Sequence, residues 1–127
     1  MSIQSVTEIT KYIKSCFDNN EILQRVLIKG EVSNFKKHFS GHCYLTLKDN
    51  SASIKAVMFK GNAQFLKFIP QNGMEVVASG YVTVFERDGQ YQLYIESLFA
   101  EGIGEIALAY NRLKEQFTKE GLFDLKY

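Results

Sequence analysis

Apolar residues recur at three- and four-residue spacing near the start of the chain and at every second position through most of the remainder. Ile9, Tyr12, Ile13, Cys16 and Phe17 share one face of a helix. Ser5-Val6-Thr7-Glu8 ahead of them is a capping box, in which serine oxygen and glutamate carboxylate each satisfy an orphan amide. The pattern predicts a helix over residues 5–18, broken by Asp18-Asn19-Asn20. The period then changes to two. Val26 to Phe35 reads as a strand, with Val26, Ile28 and Val32 on one face and Lys29, Glu31 and Ser33 on the other. Gly30 within it predicts a bulge or bend where a sheet curls toward closure. Residues 36–41 read as a loop, 42–48 as a second strand, 49–51 as a turn and 53–59 as a third strand.

Residues 61–68 predict a short helix before Pro70. Glu75 to Phe85 and Gln90 to Phe99 are strands joined by the hairpin signal Glu86-Arg87-Asp88-Gly89. Gly102-Ile103-Gly104 breaks the pattern. A final helix from about Glu105 is expected to carry Ile106, Ala109, Tyr110, Leu113 and Phe117 at helical spacing. Helix, three strands, short helix and two-strand hairpin is the element order of a mainly β, five-stranded Greek-key barrel with flanking helices, the OB-fold. An SH3-like barrel lacks the middle helix and ranks second. Residues 1–101 form the barrel domain in this reading, and 102–127 a linker and the start of a helix leading onward.

Length and composition agree with one domain that has a core of its own. The 127 residues are 46% hydrophobic with a single proline, and the seven tyrosines and ten phenylalanines suit a pleated sheet. Cys16 and Cys43 lie 27 positions apart, which reads as two buried, reduced thiols rather than a disulfide or a zinc pair. With no signal-like start and no apolar run long enough to span a bilayer, a soluble cytoplasmic protein without a membrane role is expected.

Net charge is +1, but its distribution is lopsided. Residues 25–67 carry eight Lys/Arg against two acids, while residues 68–127 carry five against nine. The basic region is where a polyanion would meet the chain. It includes Asn34-Phe35-Lys36-Lys37-His38-Phe39-Ser40-Gly41, two adjacent lysines between aromatics. Single-stranded nucleic acid asks for that mixture: cations along the phosphates and flat rings beneath unpaired bases. His42 and Tyr44 extend the surface from the second strand, and Lys55, Phe59 and Lys60 from the third. Lys29 and Arg87 are expected to close the groove from either side. Phe35, Phe39 and Phe59 are also ordinary core candidates. His38 and His42, four apart in a loop without an acid cluster, give little reason to expect a metal. No P-loop, G-x-S-x-G or H-E-x-x-H occurs, so neither a cofactor nor catalytic residues are expected in this chain.

Several stretches are similar to the large subunit of exodeoxyribonuclease VII. They are residues 28–35, Ser40-Gly41-His42-Cys43-Tyr44-Leu45-Thr46-Leu47-Lys48-Asp49, Ala56-Val57-Met58-Phe59-Lys60-Gly61, residues 87–93, and Leu113 with Glu120-Gly121-Leu122-Phe123-Asp124. The resemblance runs from about Ser5 to Tyr127, with anticodon-binding OB domains of tRNA synthetases similar over the first part. It implies an N-terminal OB-fold that grips single-stranded DNA for a downstream nuclease domain. It further implies a full-length protein that assembles with several copies of a small helical subunit and degrades single strands from both ends without divalent metal. The family's DNA-contacting loop falls on Asn34 to His42, and its basic third-strand positions on Lys55 and Lys60. Phe39 departs from the small polar residue usual in the family, and Cys43 from an aliphatic one. A barrel that only docks a partner, through the stripe of Ile106, Tyr110, Leu113 and Phe117, and an anticodon-type RNA binder are the alternatives.

Overall fold

A computed structural model describes residues 2–100; the expected C-terminal helix lies outside the described residues. The elements are α1 (Val6–Asp18), α2 (Glu21–Gln24), β1 (Val26–Lys37), β2 (Cys43–Lys48), β3 (Ser53–Met58), α3 (Lys60–Ala63), β4 (Glu75–Phe85) and β5 (Gln90–Ala100). The strands close in the order β1-β2-β3-β5-β4, every pairing antiparallel except β3 with β5. That is the Greek-key barrel read from the element order.

The capping box forms: Glu8 N donates to Ser5 Oγ at 3.0 Å, and Ser5 N donates to Glu8 Oε1 at 2.9 Å. The stripe behind it is not buried as amphipathicity predicted. Ile9, Tyr12 and Ile13 remain exposed and only Phe17 packs at the core, because α1 meets the barrel mainly through its last turn. The Phe17 ring lies 6.2 Å from Tyr91, and Thr83 Oγ1 donates to Asp18 Oδ1. The expected breaker also starts a further turn, since Asn20 Oδ1 accepts from Leu23 N at 3.1 Å and caps α2.

Lys14 Nζ donates to Asp18 Oδ2 at 2.7 Å, and this bond, followed by the one from Thr83, holds the Asp18 carboxyl below its ordinary 3.8. A carboxylate depressed in the folded state stabilises above its unfolded value and loses that contribution as pH falls further. Lowering the pH through 3.8 should therefore loosen α1 from β4 before the barrel melts. Asp18→Asn should remove the effect. Hydrogen exchange of the α1 amides at pH 3 and pH 6 reads both.

The barrel interior is apolar. Val32, Leu47, Val76, Leu93 and Ile95 are essentially inaccessible, and the alternation of β2 is as predicted, Cys43, Leu45 and Leu47 inward and Tyr44, Thr46 and Lys48 outward. Both cysteines are free; Cys43 is buried but Cys16, on the uncovered side of α1, is exposed, contrary to expectation. Helix α3 is a single turn, shorter than the 61–68 expected, and the chain continues as turns and bends to Pro70.

The bulge does not fall at Gly30. Residues 26–31 pair with β4 in unbroken register, and the shift lies between Ser33 and Lys36. Gly30 instead permits close approach, since a Cβ there would sit 3.2 Å from Leu47 Cβ and 3.3 Å from Lys48 O. At the bulge Asn34 takes φ 54, a left-handed conformation that asparagine tolerates, and Phe35 N donates to Asn72 Oδ1 at 2.9 Å. Strand β1 then runs on through Lys36 and Lys37, which are paired strand residues and not loop. Asn34→Val should cost about 1–2 kcal/mol, because a β-branched side chain is strained at positive φ. Chemical denaturation of the two proteins measures it.

Candidate nucleic-acid interface

The extra residue at the bulge decides which side chains face outward. Ser33 pairs with Thr46 and Lys36 with Tyr44, so β1 advances three positions while β2 advances two. Simple alternation would put Phe35 outside and Lys36 inside. The bulge reverses both, so Phe35 packs on the core and Lys36 stands beside Tyr44 on the outer face.

Across the barrel the pairings continue as one lateral row: Lys36 with Tyr44, Tyr44 with Val57, Val57 with Tyr94, and Tyr94 with Tyr81. A neighbouring row joins Ser33, Thr46 and Lys55. All of these but Ser33 and Tyr81 line an open groove of about 540 Å³, together with Asn34, Phe59, Phe85 and Gln92. Two of these side chains are cationic and none is acidic.

Rings dominate the walls. Tyr44, on β2, is 44% exposed, and Phe59, which falls just past the end of β3 rather than within it as expected and forms the N-cap of α3, is 43% exposed. His42 meets Phe59 edge-on at 5.4 Å, Phe59 lies 5.8 Å from Tyr94, and Tyr94 stacks on Tyr81 at 5.2 Å with 14° between planes. On the other side His38 lies 6.5 Å from Tyr44 and 4.2 Å from Phe39, which is 97% exposed at the tip of the loop. Burial, followed by the neighbouring Tyr81, raises the Tyr94 hydroxyl above its ordinary value of 10.0.

The loop between β1 and β2 is fixed by its own bonds. His38 N donates to His42 O at 2.8 Å, Gly41 N to His38 O at 2.9 Å, and Ser40 Oγ lies 2.9 Å from His38 Nδ1. His42 precedes β2 and does not stand on the strand beside Tyr44; its Nδ1 accepts from Lys60 N at 2.9 Å. The two histidines thus have separate partners, and the described residues contain no group of three or more metal-ligating side chains.

Of the predicted residues, Asn34, Lys36, Tyr44, Lys55 and Phe59 come together in the groove, with His38 and His42 flanking it through ring contacts. Phe35, Lys37 and Lys60 line a second cleft with Gly41, Cys43 and α3, because Lys37 is the partner of inward-facing Cys43. Lys29 does not close the groove: it borders a small cleft with Lys48, Asp49 and Tyr91, since β1 up to Ser33 precedes the bulge. Arg87 sits at the exposed tip of the β4–β5 hairpin, whose root residues Phe85 and Gln92 reach the groove. Sequence reasoning missed Tyr81, Phe85, Gln92 and Tyr94. Their signal was the outward phase of β4 and β5, legible from alternation with Val82, Val84, Leu93 and Ile95.

Comparison with known proteins agrees with this geometry. The family described as OB-fold nucleic acid binding domain matches residues 4–98. The chain belongs to that family. The chain is 51% identical over 122 residues to the exodeoxyribonuclease 7 large subunit of Ruminiclostridium cellulolyticum, covering 96% of the chain and 30% of the relative. It is 52% identical over 120 residues to that of Staphylococcus saprophyticus, covering 94% and 27%. The chain therefore spans about 30% of the length of the curated relatives it matches. Among solved structures, asparaginyl-tRNA synthetase from Pyrococcus horikoshii superposes with a TM-score of 0.51 at 20% identity over 72% of this chain and 22% of the synthetase, a likeness of fold. No helix among the described residues is long and apolar enough to cross a membrane.

Proposed function

We propose that the chain binds single-stranded DNA in the groove across β1, β2, β3 and β5, as the strand-holding part of an exodeoxyribonuclease VII large subunit. The observation that carries this reading is the lateral row from Lys36 through Tyr44 and Val57 to Tyr94, flanked by Lys55 and Phe59. An unpaired base has two π faces to stack and a phosphate on each side, and this surface offers both rings and cations. Ring stacking tolerates every base, so little sequence preference is expected. The names of the curated relatives support the assignment to an exonuclease. With it go three further parts of the proposal: cytoplasmic location, assembly with the small subunit, and a linking role for residues 102–127 between the barrel and a nuclease region.

Fluorescence anisotropy of a labelled oligonucleotide at several salt concentrations tests the binding. With Lys36 and Lys55 each neutralising one phosphate, log affinity should fall with log salt at a slope of about −1.4. Lys36→Ala should flatten the slope by about 0.7, one counterion's share on a single strand. A slope near zero would exclude a phosphate-tracking site. A matched RNA strand bound far more tightly than DNA would favour the anticodon-type alternative instead.

A further inference from the structure

The second cleft lies on the other side of the β1–β2 loop from the groove and matches it in volume at about 540 Å³. Its floor is apolar, with Phe35, Leu66 and Phe68, and its rim carries Lys37, Lys60 and Lys67. No acidic side chain lines it, and none of the three lysines forms an ion pair with another described residue. Three solvated cations held around an apolar hollow repel one another, and a polyanion relieves that repulsion. The loop is a ridge that both hollows share: Lys36 faces the groove, and its neighbour Lys37 faces the cleft. Gly41 approaches Lys60 so closely that a Cβ there would lie 3.0 Å from Lys60 Cγ.

We propose that a single strand leaving the groove crosses this loop and continues into the second cleft, where Lys37, Lys60 and Lys67 hold its phosphates. The apolar floor receives one base, and the exposed ring of Phe39 marks the crossing. The strand is favoured over an acidic peptide by this continuity: the basic rim of the cleft joins the groove through adjacent residues of one strand. The inference rests on the groove itself binding single strands, and the experiment separates the two.

Two oligonucleotides are titrated into the chain, one of about 4 nucleotides to fill only the groove and one of about 12 to reach both hollows. Lys67→Glu with Gln64→Glu, both exposed and outside the groove, should lower affinity for the long strand about tenfold and flatten its salt slope by about 0.7 or more. Binding of the short strand should stay unchanged. Gln64→Lys should tighten the long strand alone, which guards against a general folding defect. If neither strand binds the unmodified chain, the groove reading fails. If both bind and the cleft variants alter neither, or alter both equally, the extension is wrong. It is also wrong if the cleft variants spare both strands while abolishing capture of an aspartate-rich peptide with an apolar end.

Discussion

Replacing Gly80 by valine should unfold the barrel at temperatures where the natural chain is fully folded. A Cβ built on Gly80 would lie 2.0 Å from Tyr94 O and 2.9 Å from Tyr94 C, both backbone atoms of the paired strand. Neither can swing aside as a side chain would. The clash falls beside the register shift between Ser79 and Gly80 in the β4–β5 pairing. Overpacking against backbone costs about 3 kcal/mol or more, a large part of the roughly 5–15 kcal/mol that holds such a domain. Thermal unfolding followed by circular dichroism should show a drop of more than about 10 °C. Gly61→Ala is the contrast: nothing lies within 4 Å of the added carbon, and its effect should stay within about 1 kcal/mol of zero. Because Gly80 opposes Ile95 next to Tyr94, Gly80→Ala should also loosen single-strand binding even where the protein remains folded.

Removing the two accessible rings of the groove should have the largest effect on binding. Tyr44 on β2 and Phe59 at the start of α3 are both partly exposed, and each neighbours a further ring. If each stacks one base, each substitution by alanine costs about 1–3 kcal/mol, or roughly 5- to 150-fold in affinity. The loss should be the same at every salt concentration, because a ring releases no counterion. Lys36→Ala behaves in the opposite way, weakening binding most at low salt. Anisotropy titrations of the three variants at low and high salt distinguish the two behaviours. Loss of affinity in Tyr44→Ala that vanishes at high salt would mean that the ring does not stack.

The barrel was legible because its strands keep strict alternation. Cys43, Leu45 and Leu47 against Tyr44, Thr46 and Lys48 leave no ambiguity of phase, and Glu86-Arg87-Asp88-Gly89 announces the hairpin with Gly89 at φ 70. The capping box at Ser5 and Glu8 is equally local, so sequence spacing alone specifies it. What sequence could not supply was the place where alternation breaks. A glycine is the usual sign of a bulge, and Gly30 drew that reading, yet the chain uses Asn34, beside a backbone tied from a distance by Asn72. The single inserted residue turned Phe35 inward and Lys36 outward and sent Lys37 to the far cleft. A pattern read residue by residue therefore placed these three neighbours together, and the fold divides them.

The contributions of β4 and β5 were hidden for a different reason. Tyr81 and Tyr94 are far from the basic segment in sequence, and only the parallel pairing of Val57 with Tyr94 brings Tyr94, with Tyr81 stacked on it, to the groove. Charge clustering along the chain cannot reveal a neighbour that arrives by barrel closure. The apolar stripe of α1 illustrates the converse: Tyr12 and Ile13 have helical spacing suited to burial, but α1 touches the barrel by its end and leaves them in solvent.

On the proposed reading, cations and rings on one outer face converge on an unpaired strand. The most direct test is the pattern of backbone amide shifts when a short single-stranded DNA is titrated into isotope-labelled chain. Shifts concentrated at Lys36, Tyr44, Lys55, Phe59 and Tyr94, with Lys29 and Arg25 unmoved, are the predicted result. Shifts scattered around the barrel, or confined to residues outside the groove, would contradict it.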